Sequence, residues 1–143
     1  MQRSETSPDD FLATLPDEVR PDMVAVDGAL APVFAGDERV LWEGKFWGGT
    51  QQHIVGYGAY RYQGRSGASG EWFVVGLASQ KNYFSLYVNA TEDGSYLGER
   101  YAGRLGKAKA AKANLQFKRA SDLDLDVLRE MAERARQLTS PAE

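Results

Sequence analysis

Between Arg39 and Val88 the chain is built from four short runs of β-branched and aromatic residues: Arg39 to Trp42, Ile54 to Tyr62, Trp72 to Leu77 and Tyr83 to Val88. Gly, Asn and Ser separate them. Such residues suit a pleated, half-buried surface and such breaks suit turns, so the middle of the chain reads as a sheet. The loop from Gly64 to Gly70 joins two of the runs as an antiparallel pair. In Tyr83 to Val88 the two-residue period places Phe84, Leu86 and Val88 on one face and Tyr83, Ser85 and Tyr87 on the other. Trp72-Phe73-Val74-Val75 is continuously apolar, which marks a central strand.

Helices flank this stretch. Pro8 to Leu15 reads as a short helix with Ser7 as its cap and Pro8 in the first position, where a missing N–H does no harm. A second helix is expected from Pro16-Asp17-Glu18 toward Phe34. Val19, Met23, Val26, Leu30 and Val33 make its apolar face, and Pro32 ends or kinks it. Near the other end Asp124 caps a last helix with Leu125, Leu128, Ala132 and Ala135 as its buried stripe. A short helix is expected near Ser95 to Tyr101. Leu105 to Asn114 is rich in Ala and Lys, which favours helix, but it has too few apolar residues for a core face. Gly103 precedes it and Gly106 interrupts it, so Gly106 to Lys112 is expected to be a loop that feeds a strand from Ala113 to Lys118. The whole is an α+β domain, an antiparallel sheet flanked by N-terminal helices and a C-terminal helix, over residues 8–138. Residues 1–7 and 139–143 are expected to be flexible tails.

At 143 residues one domain with its own core suffices. No apolar run approaches the ~20 residues that span a bilayer, and the polar, acidic start lacks the pattern of a secretory signal. The expectation is therefore a cytoplasmic chain with no membrane partner. The absence of cysteine excludes disulfides, thiolate catalysis and thiolate metal sites. With His53 as the single histidine, any metal would have to rest mainly on oxygen.

The net charge is −3, and it is unevenly spread. Through Glu38 nine acids face only Arg3 and Arg20. From Arg100 to Arg119 the chain carries Arg100, Arg104, Lys107, Lys109, Lys112, Lys118 and Arg119 without one acid. Positive charge on Gly-punctuated backbone suits an anion or a phosphate. The overall acidity argues against nucleic acid as a partner.

Motifs for chemistry fail in detail. Gly98 to Leu105 has the spacing of a phosphate-binding loop, but Arg104 and Leu105 stand where Lys and Ser or Thr are needed. Gly56-Tyr57-Gly58 lacks a third glycine, and its glycines fit close packing or a bulge. Asp122, Asp124 and Asp126 imitate a calcium loop, yet Val127 occupies the turn position that requires glycine. No catalytic residue is assigned. Most aromatics belong to the core, but Tyr60, Tyr62 and Tyr87 fall at alternating positions that could line a groove.

Several segments, in order, carry a family resemblance: Phe11-Leu12-Ala13-Thr14-Leu15-Pro16, the run from Ile54 to Tyr62, Lys81 to Val88, Leu105 to Lys109, and Phe117 through Leu128. Together they resemble the YdhG-like domain of unknown function. The resemblance, over roughly Asp9 to Arg134, implies a bacterial α+β domain with a loop at Gly106 to Lys112. Some members are described as frataxin-like iron chaperones that deliver iron through surface carboxylates.

Three functional readings follow. The leading one is a non-enzymatic binding domain that takes a small anionic molecule, without a cofactor, through Lys107, Lys109 and Lys112 beside a groove of Tyr60, Tyr62 and Tyr87. The second, implied by the resemblance, is an iron chaperone that uses Asp9, Asp10, Asp17 and Glu18 and hands iron to an accepting protein. The third is an enzyme that uses His53.

Overall fold

The hydroxyl of Ser7 accepts the Asp10 amide at 3.1 Å, and Pro8 follows it in the first turn, so the first helix starts where its cap dictates. In the computed structural model, which describes residues 2–46, 50–63, 69–111 and 114–139, this helix, α1, spans Pro8–Ala13. The next, α2, spans Arg20–Leu30. It begins later than the acids at 17 and 18 suggest, because the Pro16 carbonyl closes a turn onto the amides of Val19 and Arg20. Met23, Val26 and Leu30 are fully buried, and beyond them Pro32 sits in a tight 3-10 turn over Ala31–Phe34.

The strands are β1 (Gln2–Arg3), β2 (Arg39–Phe46), β3 (Thr50–Tyr57), β4 (Tyr60–Gln63), β5 (Ser69–Trp72), β6 (Val75–Ser79) and β7 (Phe84–Val88). They continue with β8 (Thr91–Glu92), β9 (Ser95–Tyr96), β10 (Lys109–Ala111) and β11 (Asn114–Phe117). Helix α3 spans Leu97–Leu105 and α4 spans Leu125–Thr139. Among the described residues, seven strands make one antiparallel sheet in the order β1-β2-β3-β6-β7-β11-β10. The pairs β4-β5 and β8-β9 stand apart as antiparallel hairpins. The α+β expectation is met.

Further local expectations change: the helix expected near Ser95 to Tyr101 runs over Leu97–Leu105, and Thr139, expected in a tail, ends α4. Residues 2 and 3 are not a loose tail: β1 pairs with β2, and Arg3 reaches Glu38 at 2.7 Å and Glu71 at 3.0 Å and lies over the Trp42 ring. The run Ile54 to Tyr62 breaks after Tyr57, where Gly58 turns with φ of 72°. The run Trp72 to Leu77 breaks at Phe73 and Val74, and its second half becomes the central β6. Finally, Lys109–Ala111 is itself a strand rather than loop.

Both faces of the sheet are covered. On one, α2 and α4 lay Met23, Leu30, Leu128 and Met131 against Leu41, Val55, Leu77 and Leu86 in the main core. On the other, Trp42, Ile54, Phe73, Ala78 and Tyr87 form a smaller cluster. Phe73 leaves the strand because the sheet offers it a slot. Gly56 and Gly76 are cross-strand partners, and a Cβ on either would lie within 2.8 Å of Phe73. Gly56 thus serves close packing, as its position suggested.

Two carboxylates on α2 tie the layers together. Asp27 accepts the Tyr57 hydroxyl at 2.6 Å and both the ε and a terminal nitrogen of Arg39, which also reaches Asp9 at 3.0 Å. Asp22, nearly buried, accepts the Ala120 amide at 2.9 Å and the Arg119 ε nitrogen at 3.1 Å. Buried carboxylates persist only when paired in this way.

Candidate anion-binding cleft

Gly106 decides how the basic segment is presented. It closes α3 with φ of 108°, and a Cβ there would lie 2.3 Å from the Asp122 carbonyl. No side chain fits. The backbone then crosses the Arg119–Leu123 stretch: the Lys107 amide donates to Asp122 O at 2.9 Å and the Asp124 amide to Leu105 O at 2.7 Å. From this clamp the chain runs into β10, whose register pairs Lys109 with Gln116 of β11. With a two-residue period, Lys107 and Lys118 fall on the face of that pair. β11 continues onto β7 with Gln116 opposite Ser85 and Phe117 opposite Phe84, which brings the β6–β7 turn alongside.

The result is a cleft of about 520 Å³ between this hairpin and the β6–β7 turn. Lys107, Lys109 and Lys118 supply three cations, and Asn82 and Gln116 supply carboxamides. Tyr83, Ala108 and Phe117 complete the lining. No carboxylate lines it among the described residues. The three lysines are exposed and form no ion pair among the described residues. An unopposed set of cations over a partly apolar floor raises the local concentration of anions and offers each a mobile donor.

The arginines of the same segment are used elsewhere. Arg104 holds Glu130 through two bonds of 2.6 and 3.1 Å, which lowers the Glu130 carboxyl pKa by direct hydrogen bonding. Arg100 reaches the Glu92 carbonyl and Asp93. Arg119 reaches Asp22. The sequence showed one basic block; the fold divides it into three fastened arginines and three lysines around a cleft.

Of the other predicted ligand residues, Lys112 lies outside the described residues, as do the side chains of Tyr60 and Tyr62, whose backbones form β4. Tyr87 does not face a solvated groove. It is 4% exposed, sits edge-on to Phe73 and has the Gln80 carboxamide 3.4 Å from its hydroxyl, and burial raises its pKa. Both faces of β7 are covered, so strand alternation did not separate buried from exposed. Sequence patterning does not mark Lys118, Asn82, Tyr83 and Gln116 as cleft residues. The only available signal was the antiparallel pairing of Lys118 with the run beginning at Lys107, which requires the hairpin register.

The carboxylates of the iron reading are dispersed. Asp9 is engaged by Arg39 and Asp17 by Arg20, while Asp10 and Glu18 are exposed. Among the described residues no group of three or more His, Asp or Glu gathers as a metal site. His53 stacks on Phe11, ring centroids 5.5 Å apart, with its Nε2 3.7 Å from Glu43. It lines a separate cleft of about 500 Å³ with Phe11, Val19, Gln52 and Gln80. No helix among the described residues is long and apolar enough to cross a membrane.

No family model, curated protein or solved structure matches the chain.

Proposed function

We propose that the chain is a non-enzymatic binding domain whose Lys107–Lys109–Lys118 cleft takes a small anionic ligand. The observation that carries this reading is the composition of the cleft: three lysines and two carboxamides converge, and no carboxylate of the lining answers them among the described residues. The clamp at Gly106 supports it, because it fixes the backbone from which Lys107 and Lys109 project. The partly apolar lining, with Phe117, Ala108 and the Tyr83 ring, suits an organic anion better than a bare ion. The order of helices, sheet and closing helix supports placing the domain with the YdhG-like proteins it resembles, which we likewise propose.

The test is an NMR titration of the parent chain and of the Lys107→Gln, Lys109→Gln, Lys118→Gln variant with ethylphosphonate. Shifts in the parent are expected at residues 82–83, 107–109 and 116–118, with an affinity that weakens as salt rises because the contacts are solvent-exposed. The variant is expected to show none. Equal shifts in both proteins, or shifts centred elsewhere, would overturn the assignment.

A further inference from the structure

The lysine cleft does not end at Tyr83. Asn82, Tyr83 and Lys118 form its wall on one side and, on the other, the wall of a smaller cleft of about 200 Å³ that contains Arg119 and Lys81. The smaller cleft holds three cations, Lys81, Lys118 and Arg119, against the carboxylates Glu18 and Asp22, so it too is positive.

Arg119 differs from the lysines in being fixed. Its ε nitrogen lies 3.1 and 3.4 Å from the two oxygens of Asp22, whose side chain is only 9% exposed. That carboxylate is itself anchored by the Ala120 amide at 2.9 Å. The guanidinium is therefore held by a nearly buried partner while its side chain remains 68% exposed, and its two terminal nitrogens have no partner among the described residues. A guanidinium oriented at one nitrogen and open at the other two presents a planar fork, the geometry that binds phosphate or carboxylate oxygens in pairs. Asp22 spends its charge on orientation, a role that pairing alone does not require of so exposed an arginine.

We propose that the natural ligand is a small molecule with two oxyanionic groups, one in the lysine cleft and the second on the Arg119 fork, joined by a linker that passes Tyr83. This rests on the anion-binding reading of the lysine cleft. The two subsites share Lys118, so a linked pair of anions occupies both without new contacts and gains from the effective concentration of the second group.

The experiment compares ethylphosphonate with α,ω-alkane diphosphonates of increasing length, by calorimetry and amide NMR, on the parent chain and on Arg119→Lys. At one linker length the diphosphonate is expected to bind at least about tenfold tighter than the monophosphonate. Arg119→Lys keeps the charge but loses the fork; it is expected to bring the two probes within about twofold while leaving ethylphosphonate unchanged. The Arg119 Nε signal is expected to shift with the diphosphonate at concentrations where ethylphosphonate leaves it in place, and this holds even if the variant proves unstable. If ethylphosphonate binds the lysine cleft but no diphosphonate gains on it, the two-anion proposal fails and the single-site reading stands. An advantage retained in full by Arg119→Lys, or an Nε signal unmoved by the diphosphonate, also overturns it. Binding of neither probe removes both.

Discussion

Tyr57 and Asp27 meet across the helix–sheet interface through a hydrogen bond of 2.6 Å from phenol to carboxylate, and the same carboxylate neutralises Arg39 on β2. Asp27 is thus the point where α2 is fastened to two strands at once. Replacing it by Ala leaves a buried phenol without its acceptor and a largely buried guanidinium with only the exposed Asp9. The expected loss is roughly 2 to 3 kcal/mol, below the full cost of breaking a deeply buried pair because Arg39 remains a quarter exposed. Urea denaturation at neutral pH measures it; a loss under about 0.5 kcal/mol would show that the network is incidental.

Tyr57→Phe separates the hydroxyl from the ring. Near neutrality it is expected to cost about 1 to 2 kcal/mol, for one buried hydrogen bond to a charged acceptor. The pH dependence has a definite sign. Burial first, then the negative charge of Asp27, holds the Tyr57 pKa well above its ordinary value, while the unfolded chain releases this proton near ~10. The stabilisation is complete below that pH and is lost as pH rises beyond it. The variant is therefore expected to lose stability less steeply than the parent above pH ~10, as read from denaturation curves on either side.

Glycine substitutions of opposite sign test the outer aromatic slot. A Cβ on Gly76 would lie 2.5 Å from the Phe73 ring, so Gly76→Ala is expected to destabilise by roughly 1 to 3 kcal/mol. Gly28 in α2 has nothing within 4 Å of its Cβ position, and Gly28→Ala is expected to stabilise by up to about 1 kcal/mol through helix propensity. Thermal unfolding of the two variants should move in opposite directions.

The Phe84 and Tyr87 pair tests the two faces of β7. Phe84 stacks on Phe117 at 5.3 Å inside the main core, and Phe84→Ala is expected to cost about 3 to 5 kcal/mol. Tyr87→Phe keeps the ring against Phe73 and removes a buried hydroxyl, for an expected loss of about 1 kcal/mol. Chemical denaturation of both measures the two losses, and no measurable loss for Tyr87→Phe would show that its hydroxyl contributes nothing to the outer cluster.

Much of this fold was legible because local rules fixed it. Ser7 and Asp124 cap helices through their own side chains, the latter accepting the amides of Asp126 and Val127. The stripe of Met23, Val26 and Leu30 needed only the helical period. What escaped depended on residues far apart in sequence. Nothing near Phe73 announces that Gly56 and Gly76 will stand side by side and admit its ring. The basic block from Arg100 to Arg119 was visible, but its division was not: Arg104 finds Glu130 and Arg119 finds Asp22 only after α4 and α2 are placed. Lys118 joins Lys107 through a register that sequence spacing does not display. Alternation places Tyr87 on a groove because it cannot tell that both sides of a strand are covered.

Asp22 accepts the Ala120 amide from 98 positions further along the chain. The buried face of α2 is likewise completed by α4, which ends the described sequence at Thr139. A nascent chain that has delivered the strands through Val88 therefore has five of the seven sheet strands but lacks β11 and β10, the cover for Met23 and Leu30 and the anchor for Asp22. The helical layer closes only once α4 has left the ribosome, so synthesis passes through a stage in which the apolar face of α2 stays open to chaperones.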